Sequence, residues 1–196
     1  MRRLRQGLLL LAAVGLLLAG CTLPTRPLAE GPWESRRMAL AALEDWRLDG
    51  RIGVIQGEEG WHGSLQWVQQ GGHYRIDLIG PLGQGRAQIR GDPDGVLLQT
   101  AEGSASAEDP GRLVEQALGV DIPVVGLRYW VRGLPAPGQV DDLQGDKQGR
   151  LTRLEQDGWV IEYPRYQSVD GLELPASIRA RRDDVQVKLA VGQWQL

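Results

Sequence analysis

From Trp46 onwards apolar residues recur at every second position, and that period decides what the chain can fold into. Trp46, Leu48, Ile52 and Val54 alternate with Arg47, Asp49 and Arg51, which gives an extended strand one wet and one dry face. After a turn over residues 56–60 the alternation resumes in Trp61, Leu65 and Trp67, with Gly63 between them. Gln69-Gln70-Gly71-Gly72 turns into a third strand over 74–79, and Gly80-Pro81-Leu82-Gly83 breaks it. A fourth strand over 84–90 leads through Asp92-Pro93-Asp94-Gly95, a strong hairpin turn, into 96–99. Strands resume over 140–143, 151–156, 159–163, 174–181 and 185–194, with turns at Asp157-Gly158 and Asp183-Asp184. Short connections between successive strands specify an antiparallel meander.

Helical spacing appears in three places. Met38, Ala39, Ala42 and Leu43 fit an amphipathic helix over 33–43. Asp109-Pro110 supplies a capping residue and a first-turn proline for a stripe of Leu113, Val114, Ala117 and Leu118, closed by Gly119. A third helix over 123–132 presents Val124, Leu127, Trp130 and Val131 before Gly133-Leu134-Pro135 stops it. So few helices among so many strands belong on the dry face of a curling sheet. The expected fold is mainly β: an incomplete, open antiparallel β-barrel of about ten or eleven strands covering short α-helices, with an apolar cavity left inside.

The N-terminus reads differently. Met1-Arg2-Arg3-Leu4-Arg5 precedes an apolar run over 8–18, the layout of an export signal and too short for a bilayer span of roughly 20 residues. It ends in Leu18-Ala19-Gly20-Cys21, which holds the chain's only cysteine. This stretch resembles the lipobox of bacterial lipoproteins, and the likeness implies cleavage before Cys21 and acyl chains upon it. Two or more chains hold a protein on a membrane far more firmly than one. Residues 1–20 are then a cleaved signal, 21–32 a lipidated tether bearing Pro24, Pro27 and Pro32, and 33–196 a single domain. Thr22 stands where lipoproteins of the inner membrane commonly carry Asp, so the anchor is expected in the outer membrane with the domain facing the periplasm.

Several function classes fall away. A net charge of −3 with mixed signs argues against nucleic acid. His62 and His73 have no nucleophile or paired carboxylate in a recognisable motif, so no catalytic residue is expected. Two histidines and the lone Cys21 do not make a zinc site. Asp92, Asp94, Asp183 and Asp184 fall where turns are needed, without the ligand series of a calcium loop. The glycines of 80–85 lack phosphate-loop spacing. No metal or cofactor is expected, and no enzyme.

Aromatic usage is lopsided: seven Trp and no Phe. Trp46, Trp61, Trp67, Trp130, Trp159 and Trp194 are candidates for lining the apolar cavity. For each alone, ordinary core packing is an equally good reading.

Gly80-Pro81-Leu82-Gly83, Ile122-Pro123 and the stretch Leu127-Arg128-Tyr129-Trp130-Val131-Arg132-Gly133-Leu134-Pro135 together resemble the LolB family of outer-membrane lipoprotein receptors, over nearly the whole mature chain. The resemblance implies an open barrel wrapped over helices and a monomer. It also implies a periplasmic partner carrier, LolA, that hands over acylated lipoprotein cargo for placement among outer-membrane lipids, with no reaction catalysed. It further implies that Leu82, flanked by Pro81 and Gly83, protrudes as a membrane-insertion loop. Two rivals stay open: a lipid-anchored binder of a small apolar ligand, and a scaffold lipoprotein with a filled interior.

Overall fold

The computed structural model describes residues 30–83, 85–118 and 122–196. The signal segment, Cys21, tether residues 22–29, Gln84 and Gly119 lie outside the described residues. Among those described, the elements run α1 (Glu30–Ala41), β1 (Asp45–Gln56), β2 (Glu59–Gln70), β3 (His73–Ile79), β4 (Arg86–Asp92), β5 (Gly95–Gln99) and β6 (Ser104–Ala107). Then come α2 (Pro110–Leu118), α3 (Val124–Trp130), β7 (Asp142–Gly145), β8 (Leu151–Gln156), β9 (Trp159–Val169), β10 (Leu172–Arg182) and β11 (Val185–Gln195).

All eleven strands form one sheet in the order β6-β5-β4-β3-β2-β1-β11-β10-β9-β8-β7, and neighbouring strands are antiparallel. Two meanders are therefore joined where β1 pairs with β11, leaving β6 and β7 as free edges. The helical segment connects one edge to the other. Sheet curvature follows from what α3 touches. The Arg128 guanidinium donates to the Gly71 carbonyl beside β2, while the Trp130 indole donates to Gln156 on β8. Four strands lie between β2 and β8 in the sheet, so the sheet must curl for one short helix to reach both. Bulges supply the bend. At Asp49/Gly50 the β1–β11 register shifts, and a Cβ on Gly50 would lie 2.4 Å from the Ala190 carbonyl oxygen, so only glycine fits.

Alternate residues of the strands meet Val114, Val124, Leu127, Trp130 and Val131 in a single core. Strand direction assigns each turn to one of two ends. The turns after β1, β3, β5, β8 and β10 share one end, the lip end; those after β2, β4, β7 and β9 share the other, the far end. Helix α1 lies across the far end. Its Leu40 is fully buried, and the Leu40 and Leu43 carbonyls accept from Arg132 Nη1 at 3.1 and 2.9 Å. A Cβ on Gly149, in the β7–β8 turn, would meet the Pro32 and Trp33 backbone at 2.6 Å. Arg36 and Arg150 each lie 5.3 Å from the centre of the Tyr166 ring, a pair of cation–π contacts that pins α1 to the sheet.

Four boundaries differ from expectation. Helix α1 begins at Glu30, inside the expected tether, because Pro32 sits in its first turn, where the amide would have no helical partner anyway. Strand β6 has no counterpart among the expected strands because Ser104–Ala107 is almost wholly exposed and has no apolar alternation. Strand β9 continues through Pro164 to Val169; Pro164 lies past the last β8 pairing, Arg153 with Glu162, so its missing N–H breaks no ladder bond there. The strand expected over 140–143 forms over Asp142–Gly145, two residues on.

Candidate functional site: an apolar hollow beneath the sheet

An apolar hollow of about 270 Å³ opens at the lip end, walled by Ile52, Val54, Trp61, Leu78, Ala87 and Ile122 with Arg86, Thr100 and Glu102 at its rim. Ile52, Leu78 and Ile122 also line a narrower throat of about 40 Å³, closed by Val114, Val124 and Leu127 from the helices. Trp67 and Val124 of that throat in turn line a third space of about 300 Å³ at the far end, beside Tyr74, Arg128 and Tyr129. The three spaces follow one another along the dry face, neighbours sharing wall residues. A larger furrow of about 670 Å³ lies between the β2–β3 and β4–β5 hairpins, but Arg75, Arg90, Asp92 and Asp94 line it, which does not suit hydrocarbon.

The candidate tryptophans separate into groups. Trp61 is 40 % exposed at the lip, with the edge of its ring over Gly63, where a Cβ would come within 2.8 Å of it. Trp67 lines the throat. Trp46 packs between Trp67 and Trp194, ring centres 5.3 and 5.4 Å away, at the far end. Trp130 and Trp159 are buried together, 6.1 Å apart, under the β8–β9 half. Two of the six, Trp61 and Trp67, thus border the lip hollow and its throat; the others pack beyond them.

The Pro81–Gly83 turn joins β3 to β4 at the same lip. Leu82 is 98 % exposed and holds φ 57°, ψ 20°, a left-handed conformation that costs a leucine about 1–2 kcal/mol. The loop is tied at its neck by the Gly80 amide donating to the Gly85 carbonyl at 2.9 Å. Gly83 turns the chain back at φ 77°. The left-handed backbone costs folding free energy and the exposed side chain returns none by burial.

The residues 127–135 act as fasteners. Gln156, fully buried, accepts from Trp130 Nε1 at 3.1 Å and from the Ala136 amide at 2.9 Å, and returns a bond to the Ala136 carbonyl at 2.8 Å. Arg132 is buried without a carboxylate; the Leu40, Leu43 and Arg128 carbonyls accept its protons. Burial pulls its pKa down, with the nearby Arg128 charge acting in the same direction and Tyr129 against it.

The wall of the lip hollow and its throat carries no charge inside its rim, while Arg128 borders the far-end space. Asp77 is buried on the opposite face of β3, with Arg75 Nε at 3.0 Å, Arg86 Nη2 at 3.2 Å and Gln88 Nε2 at 2.6 Å. Burial pushes its carboxyl up, but the hydrogen bonds from Gln88 and Arg86 and the two arginine charges outweigh that and leave it below its ordinary value. His62 and His73 are exposed, His62 towards the lip and His73 at the far end. Among the described residues no group of three His, Cys, Asp or Glu could hold a metal ion, and no helix is long and apolar enough to cross a membrane. The throat residues Ile52, Leu78 and Ile122 had no separate signal in the sequence, where alternation marks them only as core.

Comparison with known proteins points one way. A family model described as outer membrane lipoprotein LolB matches residues 44–194. The outer-membrane lipoprotein LolB of Stutzerimonas stutzeri (strain A1501) is 42% identical over 194 residues, covering 95% of this chain and 94% of that one. That of Pseudomonas paraeruginosa (strain DSM 24068 / PA7) is 40% identical over 199 residues, covering 98% and 97%. Among solved structures, a LolA superfamily protein from Nitrosomonas europaea shares the fold at a TM-score of 0.53 and 9% identity, covering 86% of this chain and 93% of that one.

Proposed function

The chain belongs to the LolB family of outer-membrane lipoproteins, a non-enzymatic receptor family, and from that premise we propose how its residues perform lipoprotein transfer. The hollow takes the acyl chains of lipoproteins from the carrier LolA, and Leu82 passes them to the outer membrane. The molecule works as a monomer, held through acyl chains on Cys21. The observation that carries this reading is the apolar hollow whose lip bears Leu82, 98 % exposed.

Energetics set the requirement. A chain of ~14 CH₂ groups costs on the order of 10 kcal/mol to expose to water, so it must stay covered between carrier and bilayer. Without an energy source, transfer runs only downhill. Affinity for cargo must therefore lie between that of the carrier and that of the membrane. A wall of branched aliphatics and tryptophan, with no fixed charge, shields hydrocarbon without selecting among chains.

Ligand sites usually occupy roughly 300–1,000 Å³, whereas the throat here is about 40 Å³. Cargo entry therefore requires the walls to part. Val114, Val124 and Leu127 close the throat from the helices, so movement of α2 and α3 off the sheet opens it.

The test uses the mature chain with Cys21→Ala, carrier loaded with a lipoprotein, and outer-membrane-lipid vesicles, without nucleotide. Lipoprotein should leave the carrier and appear in the vesicles. A receptor that never takes cargo from the carrier, or that co-purifies with one discrete small molecule instead, would overturn the reading.

A further inference from the structure

The wet face of the middle strands carries cations without counter-ions. Among the described residues Arg51, Arg165, Arg179 and Lys188 are exposed and take part in no ion pair or side-chain hydrogen bond. Elsewhere on that face arginines stand beside carboxylates: Arg47 lies 3.0 Å from Asp49, and Arg75 and Arg86 both reach Asp77.

Strand pairing brings the four together. Lys188 on β11 is directly opposite Arg179 on β10, and on its other side is opposite Gly53 of β1. The next row on the same face runs from Arg51 on β1 through Ala190 and Ser177 to Arg165 on β9. These four strands span about 15 Å at the usual spacing. Exposed Arg181 stands two residues beyond Arg179. The carboxylate of this patch, Glu162, is opposite Arg179 but lies 3.9 and 4.0 Å from Arg153 and Arg181. Like charges directly opposite each other destabilise a sheet. Protection of an edge, the usual structural reason for a lysine on a strand, does not apply, because β1, β11, β10 and β9 are all interior strands. Solubility alone is served by interspersed signs, and the chain as a whole has a net charge of −3, so the patch is a local excess set against the overall balance.

We propose that this face, around Arg51, Lys188, Arg179 and Arg165, is a docking surface for the anionic headgroups of a phospholipid bilayer. The proposal goes beyond the acyl-transfer reading and needs neither the hollow nor Leu82; it uses only the membrane location shared by the family. Charge complementarity identifies the partner as anionic, and the texture of the patch identifies it as lipid. Between the cations stand Gly53, Ala190 and Ser177, with no aromatic or large apolar side chain among them. A stable protein interface centres on such anchors. Lipid phosphates are mobile and can come to each cation separately, and each Lys or Arg near an anionic surface improves partitioning by about fivefold.

The test is cosedimentation of the mature chain with Cys21→Ala, which has no acyl anchor, with vesicles of phosphatidylcholine alone or with about one-third phosphatidylglycerol. Binding to the anionic vesicles should be about tenfold tighter or more, and should fall to the phosphatidylcholine level when salt is raised to about 0.5 M. Arg179→Gln combined with Lys188→Gln should weaken binding to the anionic vesicles about twentyfold. The same pair of substitutions should leave binding to phosphatidylcholine unchanged and should not lower Tm, because it removes two like charges that face each other. Equal binding to both kinds of vesicle, or anionic-vesicle binding that the double substitution leaves intact, overturns the proposal. A double variant that keeps vesicle binding but no longer takes lipoprotein from the carrier overturns it too, and gives this face to an acidic protein instead.

Discussion

Trp130 and Gln156 are joined by a buried hydrogen bond of 3.1 Å that fixes α3 over the β8 side of the sheet. The same Gln156 side chain closes two bonds with the Ala136 backbone. Gln156→Leu leaves three buried groups without partners, and stability should fall by roughly 3 kcal/mol. Urea unfolding checks this: the midpoint should drop while the slope stays the same.

Leu82→Glu should slow insertion into vesicles about tenfold or more, since burying a leucine contributes about 1.5–3 kcal/mol and a carboxylate contributes nothing favourable. Stability should change by no more than about 0.5 kcal/mol, because the side chain touches little. Uptake of cargo from the carrier should be normal. Insertion at the ordinary rate would remove Leu82 from the mechanism.

Gly63 makes room for Trp61. An added Cβ would approach the Ile79 carbonyl oxygen to 2.4 Å and the Trp61 ring to 2.8 Å, and backbone cannot yield as a flexible side chain can. Gly63→Ala should cost about 1–3 kcal/mol and shift the Trp61 fluorescence by moving the ring. Unchanged stability and emission would show that the lip accommodates the methyl group.

Asp77 gives the pH dependence a definite sign. Its pKa is lowered in the folded chain, so its contribution is present above the unfolded value of about 3.9 and is lost as pH falls through the folded value. Asp77→Asn should therefore be less stable than the unsubstituted chain at pH 7, and the gap should close as pH falls below about 4. Chemical denaturation at a series of pH values measures that gap. A gap constant with pH would assign the role to packing alone.

Much of this architecture can be read from residue order, and what cannot has physical causes. Alternation in Val185, Val187, Leu189 and Val191 reports a strand because one face is buried along its length. Ser104–Ala107 reports nothing, since an exposed edge buries no apolar residue to set a period. The β1–β11 pairing, which joins the two meanders, links residues more than a hundred positions apart, and no local signal encodes it. The tryptophans show the same limit. Trp46 and Trp67 look alike in the sequence, yet Trp67 lines the throat and Trp46 does not. Family likeness makes Leu82 a candidate, but its left-handed backbone becomes visible only in three dimensions.

Helix α1 begins at the end of the barrel remote from Leu82, and this bears on how the body sits on its membrane. Glu30 follows Cys21 by nine positions, a leash of at most about 30 Å, whereas the 12-residue strands between the two ends are about 40 Å long. With Cys21 in the bilayer, an upright stance on Leu82 would stretch that leash past its limit. Lengthening it by ten residues should speed insertion by the anchored chain several-fold and leave the Cys21→Ala chain unaffected. If Cys21 carries acyl chains and Leu82 delivers cargo as proposed, the receptor reclines on its flank to do so, and a leash this short makes posture, as much as affinity, a condition of release.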